Sequence, residues 1–140
     1  MASAILQSHG VTVPGGATIL DGGTDTVISG SPRYVIFDDT NPNAASSVTV
    51  TGSNSLVVLN NGNDTVTLTG SNDTILGGNG NETVTGTNGN YTVYLAGGGT
   101  VSVGNGSNNI YVADASVVAG NGSNTISIGS GTVSAGNGTD

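Results

Sequence analysis

β-Branched aliphatic residues recur along the chain at nearly constant spacing. Val11, Ile19, Val27, Val35, Val48, Val57, Val66, Ile75, Val84, Val93, Val101, Ile110, Val117, Ile126 and Val133 follow one another at steps of seven to nine residues. One step, from Val35 to Val48, is longer, at 13. Around most centres, apolar and polar positions alternate. Val66-Thr67-Leu68, Val93-Tyr94-Leu95, Val101-Ser102-Val103, Ile110-Tyr111-Val112 and Ile126-Ser127-Ile128 each put two apolar residues on one face. The Thr, Ser or Tyr between them points the other way, which is the period of a half-buried strand. Helix is disfavoured, because Gly and β-branched residues both weaken it and the period is 2 rather than 3.6. The pattern predicts strands of three to five residues separated by Gly-Asn turns.

The spacing is also a repeat. From Asn61 to Ala96 the chain reads NGNDTVTLT, GSNDTILGG, NGNETVTGT, NGNYTVYLA, four consecutive nonapeptides. Later, GNGSN begins at Gly104 and again at Gly120, and GNG recurs at Gly136, a period of 16. Self-similarity at a fixed period is the mark of stacked repeats. Two strands and two turns make a unit of 16–18 residues. A sandwich needs longer strands with variable connections. The prediction is therefore an all-β, two-sided parallel β-solenoid (β-roll-like), one domain over residues 1–140, each coil stacked on the last. The long step contains residues 38–46, DDTNPNAAS, whose Pro42 and Asn pair predict a surface loop insertion.

Composition narrows the reading. Gly (25), Thr (19), Asn (17) and Ser (16) make up just over half of the 140 residues, and aromatics only 4%. Such a chain cannot fill an ordinary globular core, while two rows of Val in a narrow coil need no large side chains. Charged residues are 7%, and with Val evenly spaced, plain disorder fits poorly. Nine acids face a single base, Arg33, for a formal charge of −8. Binding to nucleic acid through its phosphates is excluded, and an anionic membrane surface is disfavoured. No apolar run approaches 18 residues, so no membrane insertion is expected. The stretch Met1 to His9 lacks the basic and apolar regions of a secretory signal. Without Cys there are no disulfides or thiolate metal sites.

Gly77-Gly78-Asn79-Gly80-Asn81-Glu82-Thr83-Val84-Thr85 resembles the RTX (repeats-in-toxin, hemolysin-type) nonapeptide G-G-x-G-x-D-x-U-x, with Glu82 in the acidic place. Asn61 to Thr69 matches from Gly62 through Asp64 and Val66, without the leading Gly pair. Asp73 and Ile75 repeat only the acid-x-aliphatic part. Residues 61–96 carry the best-matching repeats, and elsewhere the likeness is dilute. The resemblance implies a parallel β-roll whose turn carboxylates and carbonyls bind Ca2+. It also implies export from a Gram-negative cell, usually by type 1 secretion, to the extracellular space or cell surface.

The acidic place lies two residues before each strand centre and forms two columns. One reads Asp25, Ser46, Asp64, Glu82, Gly99, Ala115 and Gly131; the other reads Ala17, Arg33, Ser55, Asp73, Tyr91, Asn108, Asn124 and Asp140. Only Asp64 and Glu82 are neighbouring acids. Two carboxylates about 5 Å apart repel by about 1 kcal/mol in water and by about 3 to 4 kcal/mol at an effective dielectric near 20. A hard cation held by oxygen ligands relieves that repulsion. The candidate Ca2+ ligands are thus Asp64 and Glu82, with Asp73 on the opposite flank. Turn chemistry alone is the other reading, since Asp and Asn tolerate left-handed backbone and cap their own turns. Beyond residue 88, Asn88, Asn105, Asn121 and Asn137 recur at steps of 17, 16 and 16, each followed by Gly, and predict an amide ladder along the coil axis.

Conventional catalysis has little to work with: one His, one Arg, no Lys and no Cys. His9 and Arg33 read as solvated, Asp38-Asp39 as an Asx turn, and no enzyme is expected. Asp21-Gly22-Gly23-Thr24-Asp25 lacks an acidic neighbour. The Asn-x-Thr triplets at Asn63, Asn72, Asn81 and Asn90 are by-products of the repeat. Two outward rows are predicted, Thr67, Thr85, Ser102, Val118 and Ser134 on one face and Tyr94, Tyr111 and Ser127 on the other. Head-to-tail self-association through open terminal coils predicts a filament. The expected function is an extracellular, non-enzymatic structural protein of a fibre, surface layer or biofilm matrix, partly stabilised by Ca2+. A β-roll module of a larger secreted toxin, adhesin or enzyme is the alternative, and an ice-binding solenoid is a minor one.

Overall fold

The computed structural model describes residues 17–20, 25–30, 34–37 and 43–140, and it contains strands and turns but no helix among them. In chain order the strands are β1 (Ala17–Leu20), β2 (Asp25–Ile28), β3 (Tyr34–Phe37), β4 (Ser47–Val50), β5 (Leu56–Val58), β6 (Thr65–Leu68) and β7 (Asp73–Gly77). They continue with β8 (Asn81–Gly86), β9 (Tyr91–Val103), β10 (Asn109–Ala119), β11 (Gly122–Ser123), β12 (Thr125–Ala135) and β13 (Gly138–Thr139). Odd-numbered β1, β3, β5 and β7 stack in parallel onto the first half of β9. Even-numbered β2, β4, β6 and β8 stack onto its second half. β10 and then β12 continue both layers at once. This is the two-sided parallel β-solenoid that the valine spacing predicts.

Partners are 18 residues apart in the middle coils, then 17, then 16. Tyr34 pairs with Leu56, 22 residues on, and the extra length falls across residues 38–46, of which 38–42 lie outside the described residues. Each layer turns two rows inward, and the first row of each is the tightest. Val48, Val66, Val84, Val101 and Val117 form it on one side, and Val35, Val57, Ile75, Val93 and Ile110 on the other; none is more than 1% exposed. The second row holds Val50, Leu68, Val103 and Ala119 on one side and Phe37, Leu95 and Val112 on the other. Each such side chain contributes roughly 1.5–3 kcal/mol by leaving water. β-Branching suits the role, because a stiff χ1 on a pleated surface leaves little rotamer freedom to lose.

Two expectations need correction. In the first coils the register is one residue off the predicted beat: Thr26, not Val27, pairs with Val48, and Thr18, not Ile19, pairs with Val35. Val27 is consequently outward and 69% exposed, while Ile28 is buried. A one-residue slip exchanges the two faces of a strand, and Thr26-Val27-Ile28 offers an aliphatic residue to either. The same slip moves Asp25 beside Ser47 and Ala17 beside Tyr34, so neither belongs in the column assigned to it. Secondly, the later strands are not short. β9, β10 and β12 run 13, 11 and 11 residues around a corner without leaving the ladder. The corners are turned at Gly99 (φ 132°) and Gly131 (φ 119°), backbone positions that disfavour any side chain. Val11, His9, Arg33 and Asp38-Asp39 lie outside the described residues.

Candidate functional site

Asp64 and Asp73 occupy equivalent corners of the coil, each just before an inward aliphatic residue. Strand alternation turns both inward, and both are buried. The Asp64 Oδ1 accepts the Ser46 N–H at 2.9 Å, and the Asp73 Oδ1 accepts the Ser55 N–H at 2.8 Å. In both cases a carboxylate ties down a backbone amide of the coil before, 18 residues back. This is work that Asp does with no metal at all. Burial raises the Asp73 pKa, an effect partly offset by Ser55 beside it.

Glu82 stands next after Asp64 in the same column. Thr65 and Thr83 are register partners, and the Thr83 N–H donates to the Asp64 carbonyl at 2.7 Å. Glu82 is fully buried, and neither of its carboxylate oxygens makes a hydrogen bond of good geometry. The amides of Glu82 and Gly80 nevertheless point at the group closely enough to favour its charged form. Across the corner stands Gly77, in register with Leu95; a Cβ there would meet the Leu95 Cδ2 at 2.5 Å and lie in ordinary contact with the Glu82 Cδ at 3.4 Å. Burial pushes the Glu82 carboxyl up to about 7, the charge of Asp64 adds to the rise, and the amides of Glu82 and Gly80 work against it. The structure therefore brings Asp64 and Glu82 together as the spacing predicts, and it leaves Asp73 at the opposite corner.

A hard cation takes six to eight oxygen ligands. The chemistry of this corner fits one, because Glu82 offers two buried oxygens without partners beside a second carboxylate. The carbonyls of Gly78 and Gly80 accept the N–H groups of Gly97 and Gly98 at 2.8 and 2.9 Å, and each retains a second lone pair. Three or more acidic or His side chains gather nowhere among the described residues, so carbonyls must complete any such shell. Further along the column, Gly99, Ala115 and Gly131 bring no donor side chain.

The second corner column changes chemistry from carboxylate to amide. The Tyr91 N–H donates to the Asn108 Oδ1 at 3.1 Å. Asn108 Nδ2 donates to the Asn124 Oδ1 at 2.9 Å, and Asn124 Nδ2 to the Asp140 Oδ1 at 2.8 Å. Asn108 and Asn124 are buried, so this is a true internal amide ladder, and sequence reasoning missed it. The signal was present as Asn at successive places of one column. Tyr91 is buried too, with its hydroxyl donating to the Gly70 carbonyl at 2.7 Å.

The predicted outer ladder exists in a different form. The side-chain oxygens of Asn88, Asn105 and Asn121 accept the backbone N–H groups of Asn105, Asn121 and Asn137 at 2.9, 2.7 and 2.7 Å. Amide joins backbone rather than amide, because the carbonyl oxygen of each Asn faces the N–H of the coil above. Such bonds also occur beside the carboxylates, from Asn79 to Asn61 and from Asn81 to Asn63. Asn ladders therefore accompany the acidic turns instead of merely replacing them. Asn54 and Asn72 adopt left-handed backbone, both at φ 60°, as turn chemistry requires.

Outside, the predicted rows are in place. Thr67, Thr85, Ser102, Val118 and Ser134 are successive register partners. Tyr94 and Tyr111 stack on the other face with ring centroids 4.9 Å apart and planes 7° from parallel. An open depression of about 400 Å³ is lined by Asn81, Thr100, Asp114, Ser116 and Thr132, a lone carboxylate among hydroxyls and an amide. The chain matches no protein-family model, no curated protein and no solved structure. Fold and site together define a two-sided β-solenoid with a pair of buried carboxylates at one corner, a single one at the other, and amide ladders at both.

Proposed function

We propose that this chain is a non-enzymatic, RTX-like structural solenoid of an extracellular fibre, surface layer or biofilm matrix, exported by type 1 secretion from a Gram-negative cell. Copies join head to tail, and Ca2+ held by Asp64 and Glu82 stiffens the middle coils. The observation that carries assembly is the edge of β12, which pairs with β10 on one side and with no strand on the other among the described residues. Val133 on that strand is 47% exposed, whereas its counterparts Val101 and Val117 are buried. An open edge of this kind is a template for another strand, and a heterologous contact that does not close grows into a filament. A further coil of a longer chain would use the same edge, which is the reading as a module of a secreted toxin, adhesin or enzyme.

Negative-stain micrographs and sedimentation of the 140-residue chain at micromolar concentration distinguish the two. Filaments that Val133→Lys abolishes without unfolding support the homopolymer, and a strictly monomeric species overturns it. For calcium, the supporting observation is the pair of unpartnered Glu82 oxygens. The melting temperature should rise with Ca2+ and fall back with EGTA, and Asp64→Asn with Glu82→Gln should remove the difference. Identical melting of the unsubstituted protein in Ca2+ and in EGTA sinks the site.

A further inference from the structure

The face built on β4, β6, β8 and the second half of β9 carries two outward rows rather than one. Ser47, Thr65, Thr83 and Thr100 are register partners along the first row, and Thr49, Thr67, Thr85 and Ser102 along the second. Each of four successive coils thus presents a hydroxyl on either side of a buried valine: Ser47-Val48-Thr49, Thr65-Val66-Thr67, Thr83-Val84-Thr85 and Thr100-Val101-Ser102. All eight residues are exposed or half-buried, and no charged side chain interrupts them. No hydrogen bond ties any of the eight hydroxyls to the rest of the described chain, whereas further along the Thr132 hydroxyl donates to Ser116 at 3.2 Å.

The rows form a lattice. Alternate residues of a strand lie about 6.7 Å apart, and neighbouring strands about 4.8 Å apart. The prism face of ordinary ice repeats along two perpendicular directions at close to this pair of distances. No register shift falls between these four coils; the one in this part of the chain lies between Val112 and Asp114. Six of the eight residues are Thr, whose branched Cβ restricts χ1, so methyl and hydroxyl positions are largely fixed before contact. A surface already ordered loses little freedom on binding.

We propose that this hydroxyl array binds ice, holding the water of the crystal surface in register with the coils. A basic or acidic partner would find no charge here. A partner seeking apolar contact would find it on the opposite face, where Leu76, Tyr94 and Tyr111 stand exposed in one column. The proposal depends neither on self-assembly nor on Ca2+.

The test is thermal hysteresis of the purified full chain, together with its partition into a slowly grown ice hemisphere. The unsubstituted protein should show hysteresis and enter the ice. Thr67→Tyr, at the centre of the array, should lower hysteresis several-fold at unchanged melting temperature. Thr85→Val, which keeps the branched shape, should lower it less. Tyr94→Ser, on the opposite face, should leave it unaltered. A folded protein with neither hysteresis nor enrichment in ice overturns the proposal, as does equal loss from substitutions on the two faces.

Discussion

Gly86 lies against the ring of Tyr91, so close that a Cβ on the glycine would sit 2.7 Å from the tyrosine Cε2. Gly86 stands in register between Leu68 and Val103, so its missing side chain is the space the ring fills. Gly77 differs: a Cβ there would meet the Leu95 Cδ2 of the next coil at 2.5 Å and would only touch Glu82 at 3.4 Å. At the Tyr91 coil, then, a large residue in one column is matched by a glycine in the column facing it. Gly86→Val should therefore destabilise the protein by about 1–3 kcal/mol through overpacking. Combining Gly86→Leu with Tyr91→Asn, the pattern of neighbouring coils, should cost less than the two single changes summed. Urea unfolding of the four species checks the coupling.

Glu82 makes stability depend on pH. Its folded pKa of about 7 lies above its ordinary value of 4.5, so the folded state holds the proton more tightly than the unfolded state. Its contribution is most favourable below pH 4.5 and is lost as pH rises towards 7, by roughly 3 kcal/mol in all. Asp73, also raised, acts in the same direction. In EGTA, melting should be higher at pH 5 than at pH 8. Glu82→Gln should flatten most of that slope and raise the melting temperature at pH 8.

The two amide ladders should differ in worth. Asn108 accepts from Tyr91 and donates to Asn124 inside the protein, so Asn108→Leu leaves a buried N–H and a buried carbonyl unpaired. That change should cost about 2–4 kcal/mol. Asn105→Ala frees an exposed amide to water and should cost about 1 kcal/mol or less. Thermal melts of the two variants in one buffer compare them directly.

Tyr91→Phe removes one bond without changing the ring. The Gly70 carbonyl loses its donor at 2.7 Å, and about 1 kcal/mol of stability should go with it. Chemical denaturation at fixed pH measures the difference.

The coil was legible in the sequence because its interior is only two residues wide, so every strand must repeat the same inward valine or isoleucine. The adjacency of Asp64 and Glu82 followed from their spacing of 18 alone. The slip at Val27 was not legible, since adjacent Val27 and Ile28 satisfy either face and only the stacked neighbour decides. The seating of Tyr91 on Gly86 was equally hidden: the two lie five residues apart, but on opposite sheets, and alternation within a strand says nothing of what faces it. A row of Asn every 16 residues fits bonds from amide to amide or from amide to backbone. Atomic positions alone separated these, giving the first kind at Asn108 and Asn124 and the second at Asn105 and Asn121.

The glycines of the turns rest directly on the coil before. A Cβ on Gly80 would collide with the Gly62 carbonyl, one on Gly62 with that of Ala44, and one on Gly122 with that of Gly106. A single added methyl there would wedge two rungs apart along their whole width. A duplicated or deleted rung carries its own glycines and leaves every such contact intact. Adding or removing a whole rung should therefore cost this fold less than placing a side chain on one of these turn glycines.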